Sequence, residues 1–123
     1  MTRLLRCAGV GLLLLTGLVA ARVAWAQPSV TGESDTQKLL FRNAVVAVYE
    51  IRVPPGTFEP RHSHARGVTV ALSDYDNEVT TFPDGRVTRG HTRAHDAKWV
   101  EPVTHEVRNV GRTEQHVIRI EIR

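Results

Sequence analysis

The sequence has few cysteine and aromatic residues and no segment with a clear helical period. Cys7 is the one cysteine among 123 residues, so a disulfide within one chain is excluded. Aromatic residues make up 6% of the chain, and Tyr49, Phe58, Phe82 and Trp99 are expected to pack in the core or at its rim rather than to stack sugars or bases. Stability must therefore come from a core, a metal or a partner subunit.

The first 26 residues have the pattern of a secretory signal peptide. A basic stretch is followed by an apolar run over residues 10–20, and Ala24-Trp25-Ala26 fits an A-x-A cleavage site. We expect cleavage after Ala26, a mature chain beginning at Gln27, and a periplasmic or secreted location without a membrane anchor. An uncleaved anchor is the alternative, but the apolar run is shorter than the roughly 20 residues that a span needs.

Removal of this segment changes the charge of the protein. The precursor has 16 Lys plus Arg against 13 Asp plus Glu. Arg3, Arg6 and Arg22 lie in the signal peptide, which leaves 13 basic and 13 acidic residues and a formally neutral mature chain. A neutral chain gives no support for binding to nucleic acid or to an acidic membrane surface.

The remaining 97 residues suffice for one compact domain. Residues 27–37 are rich in Ser, Thr, Gly and Asp and are expected to form a flexible lead-in. The domain is then expected over residues 38–123. Its pattern is β throughout, with short apolar or β-branched runs separated by turn residues. The predicted strands are 44–53, 68–72, 78–82, 86–92, 98–100, 104–110 and 115–122.

Seven short strands predict an all-β antiparallel sandwich or small barrel. Because an isolated open sheet exposes apolar faces and edges, we expect either closure or a homodimer. The last strand predicts which side is buried. Its isoleucine face is expected inside and its polar face outside; the first consists of His116, Ile118, Ile120 and Ile122, the second of Gln115, Arg119 and Glu121.

His62-Ser63-His64 is the most informative motif in the chain. Side chains two residues apart in a strand share a face, with Cα atoms roughly 7 Å apart, so two imidazoles can converge on one ion at about 2.1 Å. His105, at the start of a second segment of strand character, is the best candidate for a third ligand. Three neutral imidazoles can bind one divalent ion of Fe, Zn, Mn, Ni or Cu. The alternative is a solvated histidine pair beside a turn.

These residues also carry a family resemblance. Gly56 followed after five residues by the His-x-His pair resembles the first motif of the cupin superfamily, and His105 with Asn109 resembles the end of its second motif. The resemblance implies a single-domain antiparallel β-barrel or jelly roll that binds one divalent metal. In the family, a glutamate and the histidine of the second motif join the His-x-His pair. The glutamate positions are here Val68 and Thr69; three-histidine sites do occur in the superfamily, in thiol dioxygenases.

Five further residues are secondary candidates. His116 is either a ligand or a hydrogen-bonded core residue, and Glu101 is a candidate replacement carboxylate near the second motif. Asn109 is either a turn former or a hydrogen-bond partner of the site. His91 and His95 are expected at the surface or in loops. If one strand continues from His62 without a bulge, Val68 shares the face of the pair.

The sequence is compatible with three functions. The first is a metal-dependent enzyme of dioxygenase, isomerase or lyase type that acts on a small molecule. The second is a non-catalytic module that binds a small ligand or a metal, and the third is a metal-free structural or interaction domain. No Ser/His/Asp arrangement or phosphate-binding glycine loop indicates another enzyme class. Carboxylates that face the interior are expected to be scarce, because Val68 replaces the obvious one.

Overall fold

The structure, a computed structural model, describes residues 35–123. The predicted signal peptide and most of the predicted lead-in lie outside the described residues. None of the described residues forms a helix that is long and apolar enough to cross a membrane. The described chain forms nine strands. They are β1 (Gln37–Arg42), β2 (Val46–Val53), β3 (Phe58–His64), β4 (Gly67–Ala71), β5 (Tyr75–Phe82), β6 (Arg86–Thr92), β7 (Ala97–Val100), β8 (Val103–Asn109) and β9 (Gln115–Ile122).

The nine strands form two antiparallel sheets. Sheet A has five strands in the order β1-β2-β9-β4-β7, and sheet B has four in the order β3-β8-β5-β6. Many neighbours are far apart in sequence, as β2 and β9 are, so the chain passes repeatedly from one sheet to the other. The predicted all-β class and antiparallel jelly-roll barrel are confirmed.

The strands β1 and β3 are absent from the seven predicted segments. Both lie at the edge of their sheet. In β3 the two buried side chains are Glu59 and His64, so no apolar alternation marks the strand. Proline is also rare in strands, because it has no backbone N–H to donate to a neighbouring strand. Pro60 is tolerated because β3 is an edge strand, where some N–H groups have no neighbouring strand to bond. β1 begins at Gln37, one residue before the predicted start of the domain.

The apolar core lies between the sheets, mostly on the inner face of sheet A. Inner-facing residues of β2 alternate with partly exposed ones, as expected for a strand with one face buried. Val53 is fully buried, at 0% exposure. The core cluster consists of Ala47, Tyr49, Ile51, Val53, Ala71, Tyr75 and Val117. It fills one part of the interior and leaves another part to polar side chains.

The prediction for the two faces of β9 is wrong. The buried residues are Gln115, Val117, Arg119 and Glu121, all at 8% exposure or less. The isoleucines lie on the outer face of sheet A, where Ile120 pairs with Val48 and Val68, and Ile122 is 38% exposed. The polar face turns inward because its side chains bond to one another and to His64.

The expected continuity from His62 to Leu72 is also wrong. β3 ends at His64 and β4 begins at Gly67, and the two strands belong to different sheets. Val68 therefore pairs with Trp99 and Ile120 in the outer row of sheet A. Thr69 faces the interior and lines its cavity. Of the two positions where the resemblance places a glutamate, only the second faces the site.

Gly67 lies against the neighbouring strand so closely that a side chain has no room. A Cβ atom there would collide with the backbone oxygen of Ile120 on β9. We expect Gly67→Ala to lower the free energy of unfolding by about 1–3 kcal/mol, as measured by urea denaturation. Gly90→Ala is the control, because nothing lies within 4 Å of its added Cβ. Equal effects of the two substitutions would contradict the close approach.

Candidate metal centre

Three histidines from two adjacent strands meet inside the barrel. His62 on β3 pairs directly with His105 on β8, and His64 lies two residues further along β3. The Nε2 atoms of His62 and His105 are 3.1 Å apart. One ligand nitrogen from each of the three residues lies within 4.8 Å of the other two. The structure thus brings together the three residues that the motif spacing selected.

Hydrogen bonds to the far ring nitrogens orient two of these imidazoles. His62 Nδ1 lies 2.7 Å from the carbonyl oxygen of Pro60, and His64 Nδ1 lies 2.7 Å from Glu121 Oε1. A carbonyl and a carboxylate can only accept, so each Nδ1 donates, which leaves Nε2 of a neutral ring available to a metal. Metal-binding histidines in proteins are commonly held in this way.

The spacing of the nitrogens of His62 and His105 suits a single ion. Two nitrogens at about 2.1 Å from one metal, at an angle of 90–110°, lie about 3.0–3.4 Å apart. The 3.1 Å separation of His62 Nε2 and His105 Nε2 falls in this range. Without an ion, one of these two nitrogens must carry a proton that the other accepts, because two lone pairs at this distance repel. One pair of nitrogens therefore has the spacing of two ligands of one ion, and a ligand nitrogen of His64 lies within 4.8 Å of both.

The surroundings keep two of the imidazoles neutral. Burial lowers the pKa of His64, although the hydrogen bond to Glu121 opposes the shift. Burial, together with the nearby His62 and His64, lowers the pKa of His105 to about 3. Neutral imidazole is the form that binds a metal. These two side chains can therefore bind an ion at neutral pH without losing a proton.

A buried ion pair on β9 supports the histidines, although the pattern of the strand predicted that both of its residues face outward. Arg119 Nε donates to Glu121 Oε1 at 3.1 Å, and Arg119 Nη2 donates to the carbonyl oxygen of Ala65 at 2.6 Å. The two side chains are 4% and 10% exposed. Burial raises the pKa of Glu121, but the hydrogen bond from His64 and the charge of Arg119 outweigh it and hold the pKa below its usual value.

A cavity of about 220 Å³ opens beside the three histidines. Valines of β5, β8 and β9 form much of its apolar wall, and its polar lining includes Glu59, Thr69, Gln115 and Arg119. Glu59 is 4% exposed and accepts hydrogen bonds from Thr36 and Gln37. It also lines a second cavity of about 390 Å³ between β3 and the residues before β1.

The secondary candidates lie away from the histidine cluster. His116 is on the outer face of sheet A, where Nε2 bonds Glu50 at 2.8 Å, so its predicted interior position is wrong. Glu101 is exposed and accepts a hydrogen bond from Trp99 Nε1. Asn109 is a turn former: its amide donates to Val53 and Thr113, and its oxygen accepts from Gly111. As predicted, His91 and His95 lie outside the core, the first exposed on β6 and the second in a turn.

The lowered pKa values predict how stability depends on pH in the metal-free protein. In the unfolded chain, His64 and His105 take up protons near pH 6.5. In the folded chain, their lowered pKa values delay protonation to a lower pH. Unfolding therefore takes up protons below about pH 6.5, and the free energy of unfolding falls by up to about 1.4 kcal/mol per pH unit for each histidine. Above that pH the contribution is constant. Urea denaturation from about pH 7.5 to 5 measures the slope.

The variant His105→Gln isolates this effect, because glutamine does not titrate. Between the same pH values, the free energy of unfolding of this variant should fall less steeply with decreasing pH than that of the wild type. An unchanged slope would show that His105 does not resist protonation in the folded chain.

No protein-family model and no curated protein matches the chain. Solved structures do resemble it. A cupin domain from Bordetella pertussis Tohama I has 27% sequence identity and a TM-score of 0.64, over 75% of this chain and 99% of that one. A Cupin 2 conserved barrel domain protein from Salinispora arenicola CNS-205 has 21% identity and a TM-score of 0.51, over 68% of this chain and 71% of that one. An oxalate decarboxylase has 22% identity and a TM-score of 0.54, over 77% of this chain and 27% of that one.

These likenesses agree with the antiparallel jelly roll described above. The chain belongs to the cupin superfamily, as the motifs of β3 and β8 predicted. Matches at 21% and 22% identity show the fold alone, because one fold can support many chemistries.

Proposed function

We propose that the chain is an exported metal-binding cupin that holds one divalent ion through Nε2 of His62, His64 and His105. The observation that supports this is the convergence of three imidazoles, two of them oriented through their other nitrogen. Such a donor set suits Fe, Zn, Mn, Ni or Cu. Elemental analysis of protein purified without an affinity tag tests the proposal, with up to one ion expected per chain. A metal-free preparation that takes up none of these ions on dialysis would contradict it.

The cavity favours a metal-dependent enzyme over a passive metal binder. A bound ion would supply a Lewis acid with open coordination positions. Glu59 lines the same cavity and provides a carboxylate that can exchange a proton with a small molecule there. The expectation that inward-facing carboxylates are scarce is thus wrong for Glu59 and Glu121. A dioxygenase, isomerase or lyase reaction fits these groups, whereas a non-catalytic module needs no carboxylate in the cavity.

Turnover separates these two functions. Oxygen consumption and product formation should be screened with metal-loaded protein and small chelating substrates. Any activity found should fall in Glu59→Gln while metal content stays constant. Metal-loaded protein without turnover would favour the binding module.

We also propose that the protein reaches its compartment through cleavage after Ala26. The support is the order of a basic stretch, an apolar run and Ala24-Trp25-Ala26. Material secreted by a bacterial host should begin at Gln27 on N-terminal sequencing. A retained Met1 would contradict the proposed location.

A further inference from the structure

Glu59 is a buried carboxylate without an ion-pair partner. The residue is 4% exposed, and no ion pair formed by residues 35–123 includes it. The other buried carboxylate, that of Glu121, bonds both Arg119 and His64. A buried charge is unfavourable unless it is paired and hydrogen-bonded. Glu59 therefore lacks a cationic partner, which a bound molecule can supply.

One oxygen of this carboxylate accepts no hydrogen bond from the chain. Thr36 and Gln37 both donate to Oε1 of Glu59, and no hydrogen bond of residues 35–123 ends on Oε2. Oε2 is not one of the completely buried atoms that lack a partner, so part of its surface is accessible. The two donors to Oε1 line the cavity of about 390 Å³, here called the outer cavity, and neither lines the inner cavity of about 220 Å³. Oε1 thus points toward the outer side, which leaves Oε2 for the inner cavity.

An irregularity in β3 puts Glu59 on the same inner face as the histidines. Glu59 pairs with Val107 and His62 pairs with His105, so β3 advances by three residues where β8 advances by two. In a regular strand, residues three apart face opposite sides of the sheet, and the extra residue of a bulge restores the common face. Both Glu59 and His62 line the inner cavity. The carboxylate and the proposed metal ligands therefore share one cavity.

The charges around the inner cavity leave this carboxylate unbalanced. Among the described lining residues, Glu59 and Arg119 are the acidic one and the strongly basic one, and Arg119 is already paired with Glu121. An ion on the three histidines would not bind Glu59 directly, because its oxygens do not belong to the group of ligand atoms within 4.8 Å of one another. Such an ion has no hydrogen to donate to Oε2. A cationic group with an N–H supplies both the charge and the hydrogen bond.

We infer that the inner cavity takes a small primary amine, whose ammonium group donates a hydrogen bond to Glu59 Oε2. Its carbon chain lies along Val79 of β5 and Val107 of β8, which form part of the apolar wall. The volume of about 220 Å³ equals that of about seven water molecules at bulk density, which suits a chain of a few carbons. The role of the amine as a substrate rests on the proposed function, whereas its binding to Glu59 needs no ion.

Butylamine and 1-butanol test the amine. They share a four-carbon chain with a terminal hydrogen-bond donor, and only butylamine is cationic at neutral pH, because an aliphatic amine like that of lysine has a pKa of about 10.4. Titration into isotope-labelled, metal-free protein, followed by amide NMR, should show at least about fivefold tighter binding of butylamine. Equal affinities, or no binding of butylamine at millimolar concentrations, would overturn the inference.

The variant Glu59→Gln removes the charge and keeps an amide oxygen that can accept from Thr36 and Gln37. The preference for butylamine should vanish in this variant, while 1-butanol binds as it does to the wild type. Glu101→Gln is the matched control, because it removes one negative charge from an exposed residue outside the cavity; the preference should persist. A preference that persists in Glu59→Gln, or one that is lost in both variants, would overturn the inference. Circular dichroism checks that both variants are folded.

The amide shifts of the wild type locate the amine without any substitution. Val79 and Val107 line the inner cavity alone, and Thr57 and Arg61 line the outer cavity alone. Butylamine should shift the amides of the two valines. Shifts confined to Thr57 and Arg61 would place the amine in the outer cavity and overturn the inference.

Metal analysis of the same samples separates this result from the proposed metal site. A preference for butylamine that depends on Glu59, in protein that takes up no ion, would keep the amine site and remove the metal. Bound metal without a preference for butylamine would keep the metal and remove the amine site.

Discussion

Replacing His62, His64 or His105 by alanine is expected to remove the bound ion. Each substitution deletes one of three nitrogens that lie within 4.8 Å of one another, and two imidazoles alone hold a divalent ion weakly. Loss of an outer hydrogen-bond partner typically lowers metal affinity by about 10–100-fold, so loss of a ligand should lower it by more than about 100-fold. Elemental analysis after extensive dialysis, followed by titration of each variant with the metal found in the wild type, gives both occupancy and affinity.

Two other histidines provide controls for this experiment. His91→Ala removes an exposed imidazole on β6, and His116→Ala removes one bonded to Glu50 on the outer face of sheet A. Both variants should retain the wild-type metal content. Equal metal content in all five variants would eliminate the site, and loss of metal in His116→Ala alone would locate the ion on the outer face.

The fold class and the three central histidines could be predicted from the sequence because both depend on short-range patterns. Turn residues at short intervals mark the strands, and a spacing of two residues places His62 and His64 on one face. His105 lies opposite His62 in the register of β3 and β8. Its position at the start of a second segment of strand character, together with the similarity of its surroundings to a known motif, selected it.

The inner face of β9 could not be predicted by the rule that apolar residues lie inside. That strand carries isoleucines on one face and a mixed polar face on the other, and the rule assigns the isoleucines to the core. The polar face is buried instead, because Arg119 and Glu121 satisfy each other and Glu121 bonds His64. The partner in that last bond is 57 residues away, and no local pattern encodes so distant a contact. Buried polar residues of this kind concentrate at functional sites.

The division between β3 and β4 was missed for a similar reason. Ala65 and Arg66 separate the strands without a glycine or proline of their own, and Arg66 also accepts a backbone hydrogen bond from Ile122. The following Gly67 marks the close approach to β9, a signal that becomes interpretable only once the neighbouring strand is known.

The last prediction concerns Glu121, whose carboxylate serves two buried partners. Glu121→Leu leaves the guanidinium of Arg119 buried without its counter-charge, and breaking a buried pair in this way typically costs about 3–5 kcal/mol. The same change removes the acceptor that orients His64, so metal affinity should also fall by about 10–100-fold. Urea denaturation of metal-free protein measures the first effect, and metal titration measures the second. Glu114→Leu is the control, since this glutamate forms an exposed pair with Arg52 and should change stability by about 1 kcal/mol or less.

The double variant Arg119→Leu/Glu121→Leu separates the two roles of Glu121. Replacing both members of a buried ion pair by apolar residues is often neutral or stabilising, so the double variant should regain most of the stability lost in Glu121→Leu. Its metal affinity should stay low, because His64 still lacks an acceptor for Nδ1–H. Recovery of both properties would mean that the carboxylate only neutralises Arg119. Recovery of neither property would mean that the pair is needed to pack the interior. If Glu121→Leu bound the metal as tightly as the wild type, Glu121 would have no role in the site.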